Sequence, residues 1–435
     1  MTSVPDGLWR NADFTKLWGG ETLSQIGGQI TQLALPFTAI IALHAGPRAV
    51  GLLITAQWAP ILLFSLLAGL WLDNRRRRPA LIAANLGRAL LLGLVPALYL
   101  LGLLTMPLLV LIVFAAGLLT ALFDIAYVTY LPQLVSRRRL VEANAKLEAT
   151  YSIAEVGGPG LGGVLVQTIT APMAIVVDAA TYLIAGILCI RITHTEPPPQ
   201  PGSERASLWL EIRKGLAVIL GHPILRPMVV QSACFNLFEQ AILTMFLLYG
   251  ARNLRLSSST IGILLSIGSV GGILGTVVAR RAAQRFGTGQ AMVWSMALGS
   301  VSLGLIPAAG GAKPTMISLL AAGLVLHGLG IALFNVHSLS VRAMLIPSDM
   351  FGRATAAYRS ISNGTVPLSG LFAGFLGQAL GVRAEMTISA VFLSVCCTVF
   401  MFSRVRRFVT DDAGYGVSWV PPASSATSPA IERWG

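Results

Sequence analysis

Gly69-Leu70-Trp71-Leu72-Asp73-Asn74-Arg75-Arg76-Arg77-Arg78-Pro79 lies between two long apolar runs of this 435-residue chain. A carboxylate followed by four arginines is expelled from hydrocarbon, so the segment is a tight loop at a membrane surface. Short arginine-rich loops stay in the cytoplasm, which orients this loop and, through it, every neighbouring helix.

Composition agrees with a membrane-embedded chain. It is 54% hydrophobic and 11% charged, against about 25% charged in an ordinary soluble domain. Apolar spans fall at about 17–43, 48–72, 80–101, 107–131, 145–168, 172–190, 228–250, 258–279, 290–309, 315–339, 357–380 and 386–403. Each is long enough to cross ~30 Å of hydrocarbon as a helix. The alternating segments of about ten residues that mark a β-barrel are absent. The expected fold class is an all-α polytopic membrane protein with twelve transmembrane helices. The first run is too long and too glutamine-rich for a cleaved signal peptide.

The net charge of +13 raises the question of nucleic acid, and its distribution answers it. Only Arg48, Arg252, Arg255, Lys313 and Arg383 fall in or beside the loops opposite Arg75–Arg78, and only Arg88 lies deep within a span. The remaining basic residues crowd one side, which places both termini in the cytoplasm. The basic balance is topology, and no nucleic-acid partner is expected. Cys189, Cys234, Cys396 and Cys397 all sit in apolar spans with no metal-ligand spacing, so no metal or cofactor is expected.

The longest polar interruption runs from Arg191 to Pro227 and contains Pro197-Pro198-Pro199. It divides the chain into a six-span bundle at 1–190, a linker at 191–227, a second six-span bundle at 228–405 and a disordered cytoplasmic tail at 406–435. Within the linker, Leu208, Ile212, Leu216 and Ile219 share one helical face, which predicts an amphipathic helix on the cytoplasmic surface. The halves repeat one another. A constant offset carries Ala143 onto Ala354, Gly163 onto Gly374, Gln167 onto Gln378, Gln25 onto Asn236 and Gln29 onto Gln240. Two such bundles, pseudo-symmetric about an axis along the membrane normal, place a substrate site between them at the midplane.

In the first span Glu21, Gln25, Gln29 and Gln32 form a single polar stripe. Such a stripe turns from lipid toward a bundle interior or cavity, so Gln25, Gln29 and Gln32 are candidate substrate contacts. Asn236 and Gln240 repeat it in the seventh span. Glu21, Asp124, Glu155, Asp178 and Glu239 are acidic residues within spans. A carboxyl group in low dielectric favours its neutral form, the property that a proton carrier needs. Glu239 leads the proton-coupling candidates, Glu155 follows, and Glu21 and Asp178 complete them. Asp124 lies at a depth similar to Arg88 and fits a structural ion pair with it. His327 and His337 have no paired ligands in the sequence and read as packing residues. No Walker loop, nucleophile triad or metal cluster is present, so neither an enzyme nor an ATP-driven pump is expected.

The opening loop resembles the signature between helices 2 and 3 of the major facilitator superfamily: Gly, three residues, Asp, Arg, any residue, Gly and two basic residues. Gly69, Asp73, Arg77 and Arg78 match it, whereas Asn74 and Arg76 replace the expected Arg and Gly. Gly158-Pro159-Gly160-Leu161-Gly162-Gly163 matches the Gly-Pro-x-x-Gly-Gly core of the superfamily's antiporter motif, with Ala154 in place of its upstream glycine. Leu17-Trp18 through Leu35-Pro36, Phe123-Asp124 through Asn144 and Gly215 through His222-Pro223 resemble the third drug:proton antiporter family, which includes enterobactin exporters and macrolide efflux proteins.

The resemblance implies a bent fifth helix that seals one side of the pathway. It also implies a cytoplasmic gate latch in which Asp124 joins Asp73 and Arg77. The resulting expectation is a monomeric exporter in the inner (plasma) membrane. Its cargo is a hydrophobic or amphipathic small molecule, exchanged for protons by alternating access within membrane lipid. Export of a siderophore, translocation of a lipid and a non-transporting receptor are the alternatives.

Overall fold

The computed structural model describes residues 8–73, 75–194, 196, 208–410 and 417–419; the side chains at 65–67, 70, 73, 137, 208–212, 409, 410 and 417–419 lie outside that description. The first half consists of α1 (Ala12–Phe37), α2 (Pro47–Asp73), α3 (Arg77–Leu100), α4 (Met106–Leu134), α5 (Leu140–Ile169) and α6 (Ala171–Ile190). The linker holds α7 (Leu208–Gly221). The second half consists of α8 (Leu225–Arg252), α9 (Ser258–Phe286), α10 (Thr288–Ser302), the short α11 (Leu305–Ala308), α12 (Lys313–Leu345), α13 (Phe351–Asn363), α14 (Val366–Leu380) and α15 (Val382–Met401).

Taken as single spans, α10–α11 and α13–α14 leave twelve described helices besides α7, two bundles of six. Nine of these are apolar enough throughout to cross a membrane on composition alone. The other three are α1, α5 and α13–α14, and polar side chains set them apart. Glu21 and three glutamines interrupt α1, Glu142, Lys146 and Glu148 open α5, and Arg353, Arg359 and Asn363 lie along α13.

In the first half α1 packs on α5 and α6, α3 on α4 and α6, and α2 on α4; in the second, α12 packs on α9 and α10, and α8 on α13, α14 and α15. The halves meet along two seams, α2 on α14 and α5 on α9. Each seam is glycine against glycine. A Cβ on Gly51 would come within 2.7 Å of the Gly374 Cα and would strike the Gly370 carbonyl. A Cβ on Gly163 would come within 2.5 Å of the Ser258 carbonyl and 3.1 Å of the Gly262 Cα. The offset that carries Gly163 onto Gly374 also carries Gly51 onto Gly262, so the two seams are one contact made twice.

Seam contacts lie toward the end opposite the arginine-rich loops. Thr55 donates to the Pro367 carbonyl at 2.9 Å, Arg48 stacks over Phe375, and Arg252 donates to the Ile40 carbonyl at 3.0 Å.

At the arginine-rich end the start of the linker is strapped to the first half. The buried Glu196 carboxylate accepts the backbone N–H groups of Arg77 and Arg78, both at 2.7 Å, and so caps α3. The Arg78 guanidinium donates to the Cys189 and Ile190 carbonyls at the end of α6. Asp13 accepts from Lys16, Thr193 and His194. Past the proline-rich stretch, α7 lies on α13: Gly215 faces the Arg353 carbonyl and Ile219 is fully buried. Its apolar stripe therefore meets protein at Ile219, while Leu208 and Ile212 fall among the side chains outside the description. Val405 and Phe408 are buried beside Gly289 of α10, and Phe408–Thr410 pairs antiparallel with Val417–Trp419. The rest of the expected tail lies outside the described residues.

Candidate functional site

Between the halves lies a cavity of about 580 Å³. The first half contributes Gln29, Gln32, Gln57, Trp58, Glu148 and Glu155 to its wall; the second contributes Glu239, Gln240, Thr244, His327 and Asn335. Leu33, Pro36, Ile54, Leu247 and Leu265 line it toward the glycine seams, whereas Glu148, Thr276 and Asn335 carry its wall toward the arginine-rich end. The cavity is thus closed behind by apolar side chains and lined with amides and carboxylates ahead.

One pair stands out in the wall. The His327 Nε2 lies 2.8 Å from the Glu239 Oε1, and its Nδ1 lies 3.1 Å from the Gly299 carbonyl oxygen. The ring stacks on Phe235 at 5.8 Å with the planes 7° apart. A carbonyl only accepts, so Nδ1 carries a proton. One further proton then lies on the axis from Nε2 to Oε1, whether on nitrogen or on oxygen. A proton gained or lost there changes the charge of the cavity wall by one unit.

The fifth helix is built around Pro159. Proline has no N–H, so the carbonyl four residues back, that of Glu155, loses its helical partner. The Ser269 hydroxyl of α9 takes its place at 3.2 Å, and Ser266 accepts the Gly160 N–H at 2.9 Å. The opposite face of the motif packs on α1, where a Cβ on Gly162 would come within 3.1 Å of the Ile30 Cα and one on Gly158 would strike Gln29. The backbone groups around Pro159 thus make hydrogen bonds that join the two halves.

The remaining in-span charges cluster inside the first half, behind the cavity wall. Arg88 lies between the rings of Phe123 and Tyr182, at 4.4 and 4.1 Å, and donates to Asn85 at 2.7 Å. Asp124 lies near enough for the Arg88 charge to act on it, but the two do not make the expected contact ion pair, and the Asp124 carboxylate has no hydrogen bond among the described residues. Two aromatic faces hold the planar guanidinium in its place. Glu21 accepts from Gln25 at 2.6 Å, a contact within α1. Asp178 is buried against Gly27 and Thr181 between α1 and α6. Asn236 donates to the Ser362 carbonyl and to Asn363, tying α8 to the end of α13. At the opening loop, the Gly69 position is open around its missing Cβ. The side chain of Asp73 and all of Asn74 lie outside the described residues, so the latch remains an expectation.

The sequence profile of the transmembrane secretion effector family matches residues 7–427. The chain belongs to this family. Relatives carry the names of major facilitator transporters. An uncharacterised MFS-type transporter of Sinorhizobium fredii is 26% identical over 90% of this chain and 93% of its own. The multidrug efflux pump Tap of Mycolicibacterium fortuitum is also 26% identical, over 88% and 93%. Among solved structures, an inward-facing bacterial homologue of the iron transporter ferroportin superposes with a TM-score of 0.72 at 18% identity, covering 91% of this chain and 99% of that one. The nucleoside transporter NupG gives 0.71 at 16% identity, over 89% and 98%. The chain is a multi-pass major facilitator, and its family is one of transporters rather than enzymes.

Within this secretion-effector fold, the predicted site residues divide. Gln29, Gln32, Gln240, Glu155 and Glu239 come together on the cavity wall; Gln25, Asn236, Glu21 and Asp178 are engaged elsewhere. Sequence reasoning missed His327, Gln57, Trp58 and Glu148. His327 offered one signal, a polar ring deep in an apolar span. Its partner lies on another helix, so no local spacing could reveal the pair.

Proposed function

We propose that this transporter is a secondary active exporter of a hydrophobic or amphipathic small molecule, driven by proton antiport in the inner membrane with both termini in the cytoplasm. The Glu239–His327 axis in the cavity wall carries the reading, because it places a titratable unit where cargo would lie. With the arginine-rich loops in the cytoplasm, the glycine seams close the outer face and the cavity leads inward, the state that loads an export substrate. Rocking of the halves would open the seams and expose the cavity outside. Protonation of the pair from the outer side and its release inside would drive the return. Asp73, Arg77, Arg78 and Asp124 would latch the cytoplasmic side once it closes. A name of the same kind, multidrug efflux pump Tap, is carried by several relatives.

Glu239→Gln tests the coupling. Glutamine keeps the size and a hydrogen bond to the imidazole but cannot exchange a proton. In everted vesicles under an imposed pH gradient, drug uptake should fall at least tenfold while the purified variant elutes and melts like the parent protein. Wild-type uptake in this variant would reject Glu239 as the coupling group.

A further inference from the structure

The cavity wall has one sign of charge. The protein carries 31 Lys and Arg against 18 Asp and Glu, yet the lining contains three carboxylates, Glu148, Glu155 and Glu239, and no Lys or Arg among the described residues. Glu239 has His327 at 2.8 Å. Glu148 and Glu155 have no ion pair or hydrogen bond to their carboxylates among the described residues. They lie seven residues apart, two turns of one face of α5, so they follow the cavity axis over about 10 Å. A low-dielectric cleft lined by one sign of charge concentrates the field along itself.

Two further groups in the wall offer a ligand contacts that no partner takes up among the described residues. Trp58 lines the same cavity from α2, and an indole face attracts a cation as well as apolar surface. Thr244 is 1% exposed and lines the cavity, and its hydroxyl has no hydrogen-bond partner among the described residues. A buried hydroxyl left alone costs free energy, which a ligand group in hydrogen-bond reach recovers.

We infer that the cargo is an organic cation, held by Glu148 and Glu155 as its counter-charges, by Trp58 against its apolar body and by Thr244 deeper in the cavity. This rests on the cavity between the halves being the cargo site. It separates the two roles of the acidic wall: the α5 carboxylates recognise charge, and the Glu239–His327 unit exchanges protons.

Tetraphenylphosphonium and tetraphenylborate, nearly equal in size and opposite in charge, test it by equilibrium dialysis against the purified protein in non-ionic detergent, with protein-free micelles as the blank. The cation should be retained at least tenfold more tightly than the anion. Glu148→Gln with Glu155→Gln should bring that ratio below threefold, whereas Glu148→Asp with Glu155→Asp, which keeps both charges, should preserve most of it. Equal retention of the two probes by the parent protein overturns the inference, as does a charge preference that survives the double Gln variant. A double Gln variant that no longer elutes as a folded protein moves the decision to the Asp pair, whose loss of preference in a folded protein also overturns it. No proton gradient is present in this measurement. Failure of antiport would therefore show in vesicle uptake and leave the dialysis result standing.

Discussion

Arg88 shows how a charge survives inside a bundle without a countercharge in contact. Its guanidinium gains from two ring faces and from a charged hydrogen bond to Asn85, each worth on the order of 1–2 kcal/mol when desolvated. Arg88→Ala should therefore lower stability by about 3 kcal/mol. Arg88→Lys should recover less than half of that, because an ammonium cannot lie flat between two rings. Thermal unfolding of the purified variants measures both, and equal melting of the Lys variant and the parent would contradict the stacking account. At this scale the sequence marked a carboxylate of the cavity wall and left its partner unread. Glu239 is conspicuous as an acid in an apolar span. His327 acquires meaning only when α8 and α12 bring the two within 2.8 Å.

Elements were legible wherever the code is local. The spans follow from runs of apolar residues, and Pro159 marks where a carbonyl of α5 loses its helical partner. What takes up that carbonyl was hidden, because Ser266 and Ser269 are two ordinary serines until α9 lies beside α5. The junction of α7 and α8 offers a test at this scale. The His222 Nδ1 accepts the N–H groups of Ile224 and Leu225 at 3.2 and 3.4 Å. Burial holds the ring below its usual value of 6.5. The neutral ring is the one that caps, so its contribution is full above pH 6.5 and is lost as pH falls through the lowered value. Protection of the Ile224 and Leu225 amides, corrected for intrinsic exchange, should fall on acidification in the parent protein and stay level in His222→Asn. Identical profiles in the two proteins would remove His222 from the cap.

Across the whole molecule, charge asymmetry and the repeat between the halves were enough to define two six-helix bundles. Which face is closed was not legible. With 45 glycines in the chain, the sequence cannot show that Gly51 and Gly262 are the pair that meets Gly374 and Gly163. Backbone faces backbone at both seams, so an added methyl has nothing flexible to displace. Gly51→Ala combined with Gly262→Ala should hold the outer face open. A cysteine at Leu33, on the cavity wall, should then react with a membrane-impermeant maleimide added outside cells at least tenfold faster than in the parent background. Unchanged labelling would mean that the seams do not form the outer closure.

The strap at Glu196 and the docking of α7 on α13 have a consequence for what joins the halves. Each end of the linker belongs to the half it adjoins, which leaves residues 197–207 as the covalent bridge. In this respect the protein resembles a heterodimer on a single chain: its halves meet chiefly at two copies of one glycine contact, and the proposed rocking would part an interface whose partners stay covalently joined.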